Sequence, residues 1–125
     1  MNLTPDTADG VTILIGPAGQ PLLRRIQDAT LLVEACANYE TRRVLLYAEN
    51  LTPAFFDLSS REAGEILGKL RNSSVRLAVV YDPATTHFST RWPDLMIEEN
   101  RLPYFHLFED PAAAAAWLRQ DLPLR

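Results

Sequence analysis

This chain is poor in the residues from which reactive sites are usually built. Among its 125 residues there are one cysteine and two histidines. A lone thiol forms no internal disulfide, so packing must hold the fold, and a reducing compartment suits it. Cys36 lies in the apolar run Leu31 to Ala37 and reads as a small buried hydrophobe rather than a nucleophile. His87 and His106 show no spacing that joins them to Cys36 or to a serine, and His87 with Asp82 offers too few ligands for a metal. No metal and no cofactor is therefore expected. Glycine is scarce as well, five in all. No Gly-rich phosphate loop, G-x-S-x-G or H-E-x-x-H occurs. Gly16-Pro17-Ala18-Gly19 is a turn, because proline removes an amide that a phosphate cradle would need. No apolar run approaches the ~20 residues of a membrane span. Met1 to Pro5 lacks the basic start and apolar core of a signal peptide, so a cytoplasmic location and no membrane partner are expected. Positive charge is also short, with 12 basic against 16 acidic residues and a net charge of −4. That argues against nucleic acid. The pairs Arg24-Arg25 and Arg42-Arg43 read as solvated rims of elements.

What the chain does have is apolar substance and a clear alternation of elements. A hydrophobic content of 47% in 125 residues suits one α/β domain spanning residues 1–125. Val11 to Ile15 is a β-branched strand, and Leu22-Leu23 reads as its returning hairpin partner. Asp28 is the expected cap of a helix through about Tyr39, with Leu32, Ala35, Cys36 and Tyr39 on one face. Arg43 to Tyr47 and Val75 to Tyr81 are continuously apolar inside, the pattern of strands covered on both faces of a parallel sheet. Between them a helix from Ser60 to about Arg71 turns Ala63, Ile66, Leu67 and Leu70 inward, completing a right-handed βαβ unit. A further helical stretch carries Phe88, Trp92, Leu95 and Met96 on one face. Pro103 to Phe108 is the last strand, with His106 facing away from Phe105 and Leu107. Asp110 and Pro111 open a final helix rich in alanine. The order ββαβαβαβα predicts a mixed, mostly parallel sheet of four to five strands with about four helices.

The segment Phe55-Phe56-Asp57-Leu58-Ser59-Ser60-Arg61-Glu62 follows a buried strand and opens a helix. Ser59 and Glu62 stand at capping-box spacing, which explains Ser59 structurally. The same position suits a phosphate, which would meet free helix amides with Arg61 beside it. Ser59 and Ser60 are thus candidate phosphorylation sites. Phe55 and Phe56 are adjacent and cannot easily both turn inward, a modest interface signal. Glu98-Glu99-Asn100-Arg101 is the densest polar cluster, and Arg101 suits an ion pair or a ligand carboxylate.

Phe55 to Ser60 followed by Ala63-Gly64-Glu65-Ile66-Leu67 resembles the signature of DUF4180, a bacterial family without an assigned function. Gln27-Asp28-Ala29, Glu99-Asn100-Arg101, Glu109 and Ala116-Trp117-Leu118 resemble its pattern too. The resemblance covers roughly residues 11 to 118. It departs at Leu102, where glycine is expected, and at Arg61, where the usual run is less charged. More distantly, the stretch is similar to STAS domains, the SpoIIAA-like anti-sigma-factor antagonists. Those carry a phosphorylated serine in an Asp-Ser-Ser-Gly motif at the equivalent helix start. Here Leu58 separates Asp57 from the serines and Gly64 comes late. The resemblance implies a SpoIIAA-like α/β fold. The function expected is a non-enzymatic bacterial regulatory domain that binds another protein through Asn50, Phe55, Phe56, Asp57, Arg61, Glu62 and Arg101, and that pairs with itself through a strand edge or the aromatic loop. The alternatives are a small-molecule or lipid-binding module, with its pocket between Phe55-Phe56 and the helix of Trp92 and Met96, and a small enzyme using Ser60 or His87.

Overall fold

The computed structural model describes residues 2–8, 10–52, 55, 62–85 and 104–120. Within them the chain runs β1 (Thr4–Ala8), β2 (Val11–Ile15), α1 (Ile26–Asn38), β3 (Arg43–Tyr47), a 3-10 turn (Ala48–Asn50), α2 (Glu62–Asn72), β4 (Arg76–Val80), β5 (Phe105–Phe108) and α3 (Pro111–Arg119). The five strands form one sheet in sequential order. β1 and β2 are antiparallel, and every later pair is parallel. The stretch of Phe88 to Met96, expected as a further helix, lies outside the described residues.

The parallel strands are apolar throughout because both of their faces are covered. Leu14, Val44, Leu46, Leu77, Val79 and Phe105 face α1 and α2, where Ala29, Leu32, Cys36, Ile66, Leu67 and Leu70 are buried with them. Ile13, Leu45, Ala78 and Val80 alternate to the other face and meet Ala114 and Leu118 of α3. His106 follows the same alternation: it stacks with Phe108 and Trp117 on the α3 face, while Phe105 and Leu107 belong to the opposite layer.

Two expected elements form differently. The partner of β2 is β1, not Leu22-Leu23. Leu23 makes only an isolated parallel bridge to Leu51. β1 is polar and largely exposed, so it carries no apolar period; backbone pairing to β2 makes it a strand. Ala8 pairs with Val11 at the end of the hairpin, and Gly10 takes φ +77°, a conformation open to glycine. Asp28 is not the cap of α1 but its third residue, and Arg25 holds the cap position. The Asp28 carboxylate reaches back to accept hydrogen bonds from the Arg24 and Arg25 amides, at 2.9 and 3.2 Å. Tyr39 lies beyond α1 and is exposed rather than part of its inner face. The cap of α3 forms as read: Asp110 Oδ1 accepts from the Ala112 amide, with Pro111 next to it.

Candidate functional site

In an open α/β sheet, chemistry gathers where the strands end, because loops there are free of the ladder. At the carboxyl edge of β2 and β3 a single side chain organises those loops. Asn50 is fully buried. Its Oδ1 accepts from the Tyr47 amide at 2.7 Å, and its Nδ2 donates to the carbonyls of Pro17 and Gln20 at 2.6 and 2.8 Å. Its own carbonyl accepts from the Leu22 and Leu23 amides. The loop after β2 and the turn after β3 are thereby one rigid unit. Gly16 completes it: a Cβ there would collide with Asn50 Oδ1 and lie 2.8 Å from Leu46 Cδ2. Glycine is required at this point for close approach, not for its φ.

This geometry corrects two of the residues expected on a partner surface. Asn50 is an interior knot, because its donors and acceptors are spent on the protein's own backbone. Phe55 is fully buried, with its ring edge-to-face to Phe105 at 6.2 Å between centroids. It faces the main core. Phe56, Asp57, Ser59, Ser60, Arg61 and Arg101 lie outside the described residues, as do His87, Trp92 and Met96; Glu62 begins α2, with its side chain likewise outside them.

The opposite edge, where β3 and β4 begin, is built from helix ends. α1 and α2 finish in the same way. Thr41 N donates to Cys36 O and Glu40 N to Ala37 O; Val75 N donates to Leu70 O and Ser74 N to Arg71 O. These are Schellman motifs, and each puts a residue in the left-handed region, Glu40 at φ 55° and Ser74 at φ 59°. Between the two turns, the β1–β2 hairpin and Tyr104 lies an open cleft of about 940 Å³.

Arg43 and Arg76 are register partners at the start of β3 and β4. Arg43 is half-buried, not a solvated rim, and its Nη1 donates to Leu118 O at 2.9 Å. Arg76 is 3% exposed. It donates to the carbonyls of Trp117 and Gln120, both at 2.8 Å, and to Leu118 at 3.3 Å, with its guanidinium 4.4 Å from the Trp117 ring centroid. Two cations thus cap the carbonyl end of α3, where the helix dipole favours positive charge. Sequence reasoning passed over this pair because Arg76 sits inside an apolar run. The signal available was an arginine opening each of two adjacent parallel strands.

The reactive groups are quiet. Burial pushes the Cys36 thiol up to about 11, against a smaller opposing pull from Arg42, so it is protonated at neutral pH. Burial lowers the pKa of His106, which lies 4.8 Å from Phe108 and 5.8 Å from Trp117, ring to ring. Burial, then the Glu109 charge and hydrogen bond, raise that of Tyr81. Among the described residues no three His, Cys, Asp or Glu side chains come together as metal ligands.

The elements that build both edges fall within one sequence family. Residues 8–118 match the family described as a domain of unknown function, DUF4180. The chain belongs to the DUF4180 family. The matched span begins at the end of β1 and runs into α3, so it takes in the Asn50 knot, the cleft and the Arg43–Arg76 pair of this DUF4180 domain. Comparison with curated proteins and with solved structures gave no match. Among the described residues no helix is long and apolar enough to cross a membrane.

Proposed function

We propose that this DUF4180 domain is a non-catalytic regulatory module of SpoIIAA-like fold that binds another protein at the carboxyl edge of its sheet. The observation that carries the reading is the Asn50–Gly16 knot. It fixes the point at which the chain leaves β3, and α2 begins again at Glu62. The segment between these anchors holds Phe56, Asp57, Ser59, Ser60 and Arg61. A rigid base under a short polar and aromatic segment is a good platform for recognition, since little ordering entropy is lost on binding. Phosphorylation of Ser59 or Ser60 would change its charge by nearly two units and so switch docking. The mixed sheet with helices on both faces agrees with the SpoIIAA-like reading. Cys36, buried and unpaired, suits the reducing cytoplasm.

Pull-down from the native host, with bound proteins identified by mass spectrometry, tests this. A partner recovered by the unmodified domain and lost with Ser59→Asp/Ser60→Asp, at an unchanged melting temperature, supports the switch. A fall in melting temperature with binding retained reduces both serines to a helix cap. Self-association through β1 is disfavoured, because Pro5 removes a donor from that edge strand and Asp6 adds a charge.

A further inference from the structure

The cleft at the amino edge of the sheet is a second place where this protein can bind. Its volume of about 940 Å³ falls in the range of small-molecule sites. Its lining is graded. Val33 and Ala37 supply accessible apolar surface, and Thr12, Thr41, Ser73 and Ser74 supply hydroxyls. Of the four charged residues on its wall, three are arginines, in a chain of net charge −4.

These charges are not equivalent. Arg43 and Arg76 spend donors on the carbonyl end of α3. Arg42, the next residue along, is exposed and forms no ion pair with any described residue. Near the ends of α1 and α2, the carbonyls of Ala35, Cys36 and Ala37 and of Leu70 and Arg71 are occupied by the amides of residues 39–41 and 73–75, which lessens their repulsion of an anion. Thr41 is also occupied, donating to Thr12 O and accepting from the Arg43 amide. Arg42, with Ser73 and Ser74 on the facing turn, is the part of the lining left for a ligand. Glu40 opposes an anion weakly, as an exposed charge.

We propose that this cleft binds a small amphipathic anion, a carboxylate or phosphate monoester on a short apolar body, with Arg42 holding the anionic head and Val33 and Ala37 the body. This site stands at the far end of the sheet from Asn50 and is independent of the proposed docking function.

The test uses the full chain with hexanoate, phenyl phosphate and, as an uncharged control, hexanol. Amide chemical shifts and melting temperature are followed through millimolar titrations. The expected result is a saturable response centred on residues 36–42 and 73–75 with one or both anions, and little with hexanol. Hexanoate and phenyl phosphate separate the two head groups. Arg42→Gln, at an exposed position, should fold normally and weaken binding at least about tenfold, the worth of a charge-assisted hydrogen bond. Glu40→Gln should strengthen it. A response to hexanol equal to that of the anions, binding unchanged in Arg42→Gln, or no shift with any probe would overturn the proposal.

Discussion

Asn50 does more for this fold than any other polar residue described, and the reason is stoichiometric. Its fully buried side chain satisfies one amide and two carbonyls. Removing it leaves all three without partners. Asn50→Ala should therefore destabilise the protein by about 3 kcal/mol, a cost set by the stranded backbone groups rather than by lost bonds. Urea denaturation measures this as a lower midpoint at unchanged slope. Asn50→Asp is the sharper test, since its second carboxylate oxygen would face the Pro17 and Gln20 carbonyls. Its cost should be large at neutral pH and shrink on acidification, as protonation restores a donor. Gly16→Ala should disturb the same knot from the other side.

The residue type at position 50 is legible in the sequence, but its role is not. An asparagine just past a strand looks like a surface residue, and only the approach of the loop at residues 16–23 makes it an interior one. Phe55 was half legible: one of two adjacent aromatics had to turn inward, and the sequence does not say which.

At the scale of elements, the helix ends are the most instructive. Glu40 and Ser74 hold left-handed conformations that cost other residues roughly 1 kcal/mol relative to glycine. Glu40→Gly and Ser74→Gly should each raise stability, by about 0.5 kcal/mol once glycine's greater freedom in the unfolded chain is subtracted. Thermal denaturation of the double variant should show the two gains adding, since the turns are separate. The end of α3 behaves oppositely. Arg76→Leu leaves the Gln120 carbonyl without its partner, takes one of two donors from the Trp117 and Leu118 carbonyls, and removes a cation from the Trp117 ring; a loss of about 2 kcal/mol is expected. Trp117 fluorescence should report the same change.

Which elements were readable follows from what forms them. β3, β4 and α3 announce themselves because burial and capping write directly into residue type. β1 does not, because backbone pairing to β2 makes it, and Gly10 just before β2 was its one visible mark. The cleft was invisible, being assembled from the ends of elements far apart in sequence.

At the scale of the whole molecule, the burial shifts of His106 and Cys36 give stability a flank on either side of neutral pH. His106 has a folded pKa below its ordinary 6.5, so the unfolded chain binds more protons beneath that pH. Stability should fall as pH drops below about 6.5. Cys36 has a folded pKa of about 11 against 9.0, so the folded chain holds its proton longer. Its contribution is fully present below pH 9 and should be lost progressively toward pH 11, by roughly 2–3 kcal/mol for a shift of this size. Chemical denaturation across pH should show both flanks. Cys36→Ala should flatten the alkaline one while lowering the plateau, because the lost sulfur leaves a small void in the main core.

The placement of Arg43 and Arg76 has a consequence for the order in which the protein is made. Both side chains point to the face that α3 covers, and their partners are the carbonyls of residues 117–120. A slip of one residue in either strand would turn its arginine into the apolar layer beneath α1 and α2. Until α3 arrives, the middle of the sheet carries adjacent cations against bare hydrocarbon. α3, which follows all five strands in the chain, is therefore the element that locks β3 and β4 in register.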